Sequence, residues 1–172
     1  PESEKQTETE KNQSESEQTE SNQSAVIFQI DDTHIYEGME KAYKDGYEPT
    51  VADDKVQMVL PLVAEDMKAV SSVIVTPNLG DAGTVPFVYK NYQKTFKATE
   101  ETVNGTKDKK QVFLVSYTFP LKSDRKNGTY PVVFDVSAKA DGQEIQQSFT
   151  LYVTIADEKK KDTVKTVHPM CP

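Results

Sequence analysis

The chain has 172 residues, of which 35% are hydrophobic, and its 28 acidic and 20 basic side chains give a formal charge of −8. No basic excess exists to neutralise phosphates, which excludes a nucleic-acid binder that works through a positive surface. No run of about 18 apolar residues occurs, so no membrane insertion by a helix is expected of this chain, although tethering from outside it remains compatible.

The composition divides unevenly. Residues 1–24 contain no hydrophobic side chain, and their seven Glu and two Lys carry −5 of the total, leaving −3 for everything after them. Such a segment has nothing to bury against the entropy of ordering, so 1–24 reads as a disordered acidic linker extended by its own charge. Residues 25–155 read as one domain, and 156–172 as a polar C-terminal tail that carries Cys171, the single cysteine. One cysteine permits neither an intrachain disulfide nor a cysteine-based metal site. No leader is visible from Pro1 onward, which is compatible with one removed ahead of it.

Within the domain, Val26–Ile30 is a short strand rich in β-branched and aromatic residues. Asp31-Asp32-Thr33 offers capping side chains, and Ile35, Tyr36, Met39, Ala42 and Tyr43 recur at helical spacing, which predicts a short helix over His34–Lys44 with Gly46 as its stop. After Pro49 the period changes to two. Val56, Met58, Leu60 and Leu62 share one parity, and Val73–Thr76 is a second strand closed by Pro77-Asn78. Val85–Tyr89 and Gln93–Ala98 are weaker strand candidates, and Glu100–Lys110 reads as a polar loop.

The last third alternates most clearly. Phe113 to Leu121, Tyr130 to Val136 and Phe149 to Ile155 each present apolar residues at every second position. Asp141-Gly142 between the last two is a hairpin signal, and Pro131 falls early in its strand, where a missing donor is tolerated. In the connection before it, Asp124, Gly128 and Tyr130 resemble the corner of immunoglobulin-like sandwiches, where a tyrosine hydroxyl bonds back to the main chain; the three are read as structural. The expected fold is therefore mainly β, an immunoglobulin-like antiparallel β-sandwich with one short N-terminal helix. A domain of about 130 residues buries roughly two-thirds of its unfolded surface, enough for a core without staples.

Several segments together resemble a known group. They are Asp31–Met39, Gly46–Val51, Val59–Leu62, Val75–Leu79, Pro86-Phe87 and Asn127–Val136. The chain is similar in these to the S-layer-related, CARDB-like immunoglobulin-fold domains of surface proteins from Gram-positive gut clostridia. The likeness spans nearly all of 25–155 and is one of turns, strand edges and core positions. It implies an exported, extracellular cell-surface domain, and it brings no catalytic motif.

The residues themselves are sparing with chemistry. His34 beside Asp31 and Asp32 reads as a capped turn with a solvent-facing imidazole. Among the carboxylate pairs, Asp53, Asp54, Glu65 and Asp66 are the weak calcium candidates, although none fits a D-x-[DN]-x-[DN]-G loop. There is no G-x-S-x-G, no Cys–His nucleophile pair and no phosphate loop, so neither an enzyme nor a cofactor is expected. Tyr89 and Tyr92, in the aromatic run Pro86–Tyr92, are the candidates for a contact surface. Sequons fall at Asn12, Asn22, Asn104 and Asn127. The expected role is a non-catalytic surface module that is structural, spacing or adhesive. The alternatives are binding of a carbohydrate or cell-wall polymer, or recruitment of another surface protein through a sheet edge.

Overall fold

The period-two segments of the sequence are strands in the computed structural model, which describes residues 27–157. The acidic segment 1–24, the sequons at Asn12 and Asn22, and the tail from 158 onward with Cys171 lie outside the described residues. Nine strands follow in chain order: β1 (Phe28–Ile30), β2 (Thr50–Ala52), β3 (Lys55–Ala64), β4 (Ser72–Asn78), β5 (Lys94–Lys97), β6 (Thr99–Thr102), β7 (Lys109–Pro120), β8 (Gly128–Ala140) and β9 (Gln143–Ile155). They form two antiparallel sheets. In the first, β3 lies between β7 and the two short strands β1 and β2, and β6 closes the far side of β7. The second has the order β5-β4-β8-β9.

Alternation decides which side of each strand is buried. Val56, Met58, Leu60 and Leu62 of β3 and Phe113, Val115, Tyr117 and Phe119 of β7 face one way. They join Val73 and Val75 of β4, Val132, Phe134 and Val136 of β8, and Leu151 and Val153 of β9 in one apolar core. Tyr117 lies parallel to Phe119, with ring centroids 5.4 Å apart, and its hydroxyl donates across the core to the Val75 carbonyl at 3.2 Å. Burial pushes that phenol up to about 12.

A smaller apolar cluster sits on the opposite face of the first sheet, where Tyr36 and Met39 cover Val59, Val103 and Val112. The short helix expected over His34–Lys44 is not formed there. Those residues make turns, and a single 3₁₀ turn spans Tyr43–Asp45. Gly38 takes a φ of +88°, which breaks a right-handed helix, and a Cβ there would stand 3.2 Å from Val59 Cγ2. Tertiary bonds hold the segment open: Asp31 N–H donates to the Pro61 carbonyl at 2.8 Å and Lys44 N–H to the Asp32 carbonyl at 2.9 Å. The helical spacing reflects packing onto the sheet. Gly46, with φ of +93°, does end the 3₁₀ turn.

Two further expectations are corrected. Glu100–Lys110 is not simply a loop: β6 and the start of β7 pair there, with Glu101 opposite Lys110, so a polar run becomes a charged edge strand. Val85–Tyr89 is not a strand, and only Phe87 bridges, to Leu121. The hairpin at Asp141-Gly142 forms as its sequence requires, with φ of +53° and +80°.

Truncating Leu60→Ala, at 1% exposure, is expected to cost about 2–5 kcal/mol of unfolding free energy in denaturant titration, whereas Tyr152→Ala, at 63%, should change it by less than about 0.5 kcal/mol.

Candidate functional site

The two aromatic candidates separate. Tyr89 is exposed at 43%. Tyr92 packs edge-on against the core residue Phe119, with centroids 4.8 Å apart, and donates its hydroxyl to the Val88 carbonyl at 3.0 Å. Tyr92 is thus half-buried and fastened to the fold, and Tyr89 is the more exposed of the two candidates.

The four calcium candidates separate more widely. Asp53 and Asp54 form the turn from β2 to β3, with φ of +55° and +60°. Glu65 and Asp66 follow the other end of β3, where Asp66 Oδ1 accepts from Lys68 N–H at 3.1 Å. Strand β3 has ten residues, which places the two pairs about 30 Å apart, so they do not make one site. Asp54 is instead held by Arg125. No group of three or more potential metal-binding side chains occurs among the described residues. No helix among them is long and apolar enough to cross a membrane.

The structural trio lies at one corner. Asp124 is exposed in the turn after β7. Tyr130 donates its hydroxyl to the Lys126 carbonyl at 2.8 Å, spanning four residues back along the chain. Its ring covers Gly128, whose φ is +156° and where a Cβ would stand 3.4 Å from the hydroxyl oxygen.

Three polar arrangements stand out, of which the sequence pointed only to the first. That one is Asp31, expected as a cap and found as a buried carboxylate. It accepts from Tyr36 Oη at 2.8 Å and from Thr33 N–H at 3.2 Å, and His34 Nδ1 lies 2.9 Å away. Burial opposes its ionisation, but the bonds from Tyr36, His34 and Thr33 outweigh it and hold the carboxyl below its ordinary 3.8. Burial, then the bond to Asp31, raises the Tyr36 phenol. These groups cap the turn that leads the chain away from β1.

The second is Gln147. Its side chain is on the inward face of β9, yet its Oε1 accepts from Phe28 N–H at 2.6 Å and its Nε2 donates to the Phe28 carbonyl at 3.0 Å. One amide thus replaces a strand partner for β1 and ties the first sheet to the second. Tyr43 and Tyr47 do the same for β3: Tyr43 Oη donates to the Val59 carbonyl and Tyr47 Oη accepts from Val59 N–H at 2.9 Å, in the gap between β1 and β2. The two rings stack at 4.7 Å.

The third is Arg125, the one arginine among 20 basic residues. That rarity was the available signal, because a planar guanidinium forks onto carboxylates as lysine does not. It grips Asp157 through Nε at 2.8 Å and Nη2 at 3.0 Å, reaches Asp54 at 2.9 Å and the Lys122 carbonyl at 3.0 Å. Its bonds to Asp157, ahead of those to Asp54, raise its already high pKa against the effect of burial. Asn127 Oδ1 accepts from Asp157 N–H at 2.9 Å, fixing the chain as it leaves β9.

These ties mark two ends. Phe28 pairs with Ala64 at the finish of β3, whereas Asp157 lies by Asp54, just before its start. The chain therefore enters the sandwich at one end and leaves at the other, about 30 Å away. β1 and β9 both run in that direction. Beside the second half of β9 lies a groove of about 370 Å³, lined by Ile30, Tyr43, Tyr47, Pro49, Leu151 and Tyr152, with Glu48 as its charged member.

No protein-family model matches this chain, and neither does any curated protein.

Arg125→Ala is expected to lower stability by about 1–2 kcal/mol in denaturant titration, most of it from Asp157, while Asp54→Asn changes it by less than about 0.5 kcal/mol because that carboxylate is exposed. Arg125→Lys should recover less than half of the loss. Asp31 binds its proton less readily folded than unfolded. Its contribution is thus complete above about pH 4 and disappears as pH falls through its lower folded value. Melting curves from pH 7 to 2 should show Asp31→Asn closing part of its gap to the unsubstituted protein in acid.

Proposed function

We propose that the protein is a non-catalytic, exported module of the cell surface, an immunoglobulin-like domain whose role is to space its neighbours along the chain and to bear load between them. The observation that carries this reading is the position of the two ends. A chain that enters and leaves at opposite ends of a sandwich transmits tension along its strands. In that direction β1 is sheared against β3 and β9, so their ties are loaded together rather than opened one by one.

The chemistry at each end fits this role. Gln147 holds the entering strand by its main chain, where no side-chain truncation of Phe28 releases it. Arg125, Asn127 and the Tyr130 corner hold the exit. The acidic composition of 1–24 suits a solvated tether leading to the entry. The likeness of Asp31–Met39, Gly46–Val51 and Asn127–Val136 to clostridial surface domains points to the same setting. Glycan binding draws less support, since Tyr92 is packed and Tyr89 stands alone.

Single-molecule stretching of the full chain held at its two termini tests the proposal. One discrete force peak is expected, releasing about 400–440 Å of contour because no disulfide interrupts the domain. Gln147→Ala and Arg125→Ala should lower the peak force, and Tyr152→Ala should leave it unchanged. Extension without a peak, or equal forces in all the variants, would sink the load-bearing role.

A further inference from the structure

We infer that the outer edge of β9 is a docking edge for a second copy of this chain, joined antiparallel to the first about a two-fold axis. β9 is an edge strand of 13 residues, and its ladder with β8 runs through every pair from Gly128–Ile155 to Ala140–Gln143 without a bulge. Its other side has no strand partner among the described residues. β1 is tied to it through the Gln147 side chain, and Ile30, Tyr47 and Pro49 line the groove beside Leu151 and Tyr152, but no main-chain bond from these segments to that side of β9 occurs among the described residues.

Proteins ordinarily protect such an edge with charge, proline, a bulge or short length. The other edges here carry that protection. β5 has four residues with Lys94 and Lys97, and β6 has four with Glu100 and Glu101. β1 and β2 have three residues each. β9 has none of these devices, and Glu144 is its one charge.

Charge selects the occupant. Self-pairing through β5 would gather the lysines of both copies on one short ladder, and through β6 the glutamates of both; like charges across strands are unfavourable. A two-fold axis at Phe149 sets Glu144 opposite Thr154, Gln146 opposite Tyr152 and Ser148 opposite Thr150. These six side chains are all exposed and all on the same face of the sheet. Outward residues therefore meet outward residues, no like charges face each other, and Tyr152, the most exposed of the large apolar side chains at 63%, gains a cross-strand neighbour. The same patch serves both copies, as a closed two-fold contact requires. The result is one continuous eight-stranded sheet from two four-stranded ones, and a lateral contact between modules that leaves both tied ends free.

Sedimentation equilibrium of the full chain, from about 1 μM to about 1 mM, with hydrogen exchange at the two extremes, tests this inference. Reversible dimerisation with concentration-dependent protection of β9 amides is expected. Thr150→Lys, which points away from the core, should weaken it at least about tenfold by placing two ammonium groups across the axis while the melting temperature of dilute protein is kept. A chain that stays monomeric throughout overturns the inference. So does a dimer that protects other amides or ignores Thr150→Lys. The load-bearing reading stands or falls separately, on the stretching of single molecules.

Discussion

Everything else in this molecule rests on the face-to-face packing of β3 and β7 against β4 and β8. With one cysteine, outside the described residues, and no metal cluster among those described, apolar burial must hold the two sheets together. Alternating valine, leucine and phenylalanine supply it, and the Tyr117 hydroxyl bonded to Val75 shows how a polar atom brought into that layer is satisfied. A core so made resists change of volume more than change of surface, which leaves strand edges and loops free to carry other properties.

The edges are where polar side chains take over the work of strands. β1 and β2 occupy the two ends of the same side of β3, and the gap between them is filled by the hydroxyls of Tyr43 and Tyr47 on Val59. Gln147 serves Phe28 in the same way from the opposite sheet. Unsatisfied buried main-chain groups cost free energy comparable to a lost hydrogen bond, so each substitution of a side chain for a strand keeps the sandwich closed without lengthening the sheet. The consequence is mechanical. The first strand is short, yet it is fastened to both sheets, and the last residue described is fastened by a forked guanidinium. The domain is thus tied where the chain enters and where it leaves, and β9 has no strand partner on its outer side among the described residues.

Much of the fold was legible because burial on one face imprints period two on a strand, and positive φ imprints Asp-Gly on a hairpin. Phe113–Leu121, Tyr130–Val136 and Phe149–Ile155 show the first, and Asp141-Gly142 the second. The stretch His34–Lys44 misled for a definable reason: Tyr36, Met39 and Tyr43 are spaced as on a helix but each answers to a different tertiary partner, Asp31, the Val59 cluster and the Val59 carbonyl. Glu100–Lys110 misled because an edge strand with one solvated side can be almost wholly polar. The candidate residues fared according to distance. Tyr130 is satisfied four residues away, within the reach of local pattern, whereas Tyr92 is decided by Phe119 and Asp54 by Arg125, 71 residues on.

The sequence by itself determined the long period-two strands, their buried faces, the Asp141-Gly142 turn, the acidic flank and the lack of internal covalent staples. Each of these arises from side-chain chemistry at neighbouring positions. Only the tertiary structure decided that Gln147 would hold Phe28 across 119 residues, that Arg125 would join Asp54 and Asp157, and that β9 would be left on the outside of its sheet. Those facts depend on which strand lies beside which. Strand order is set by the packing of two whole sheets, and periodicity within any one strand carries no record of its neighbour.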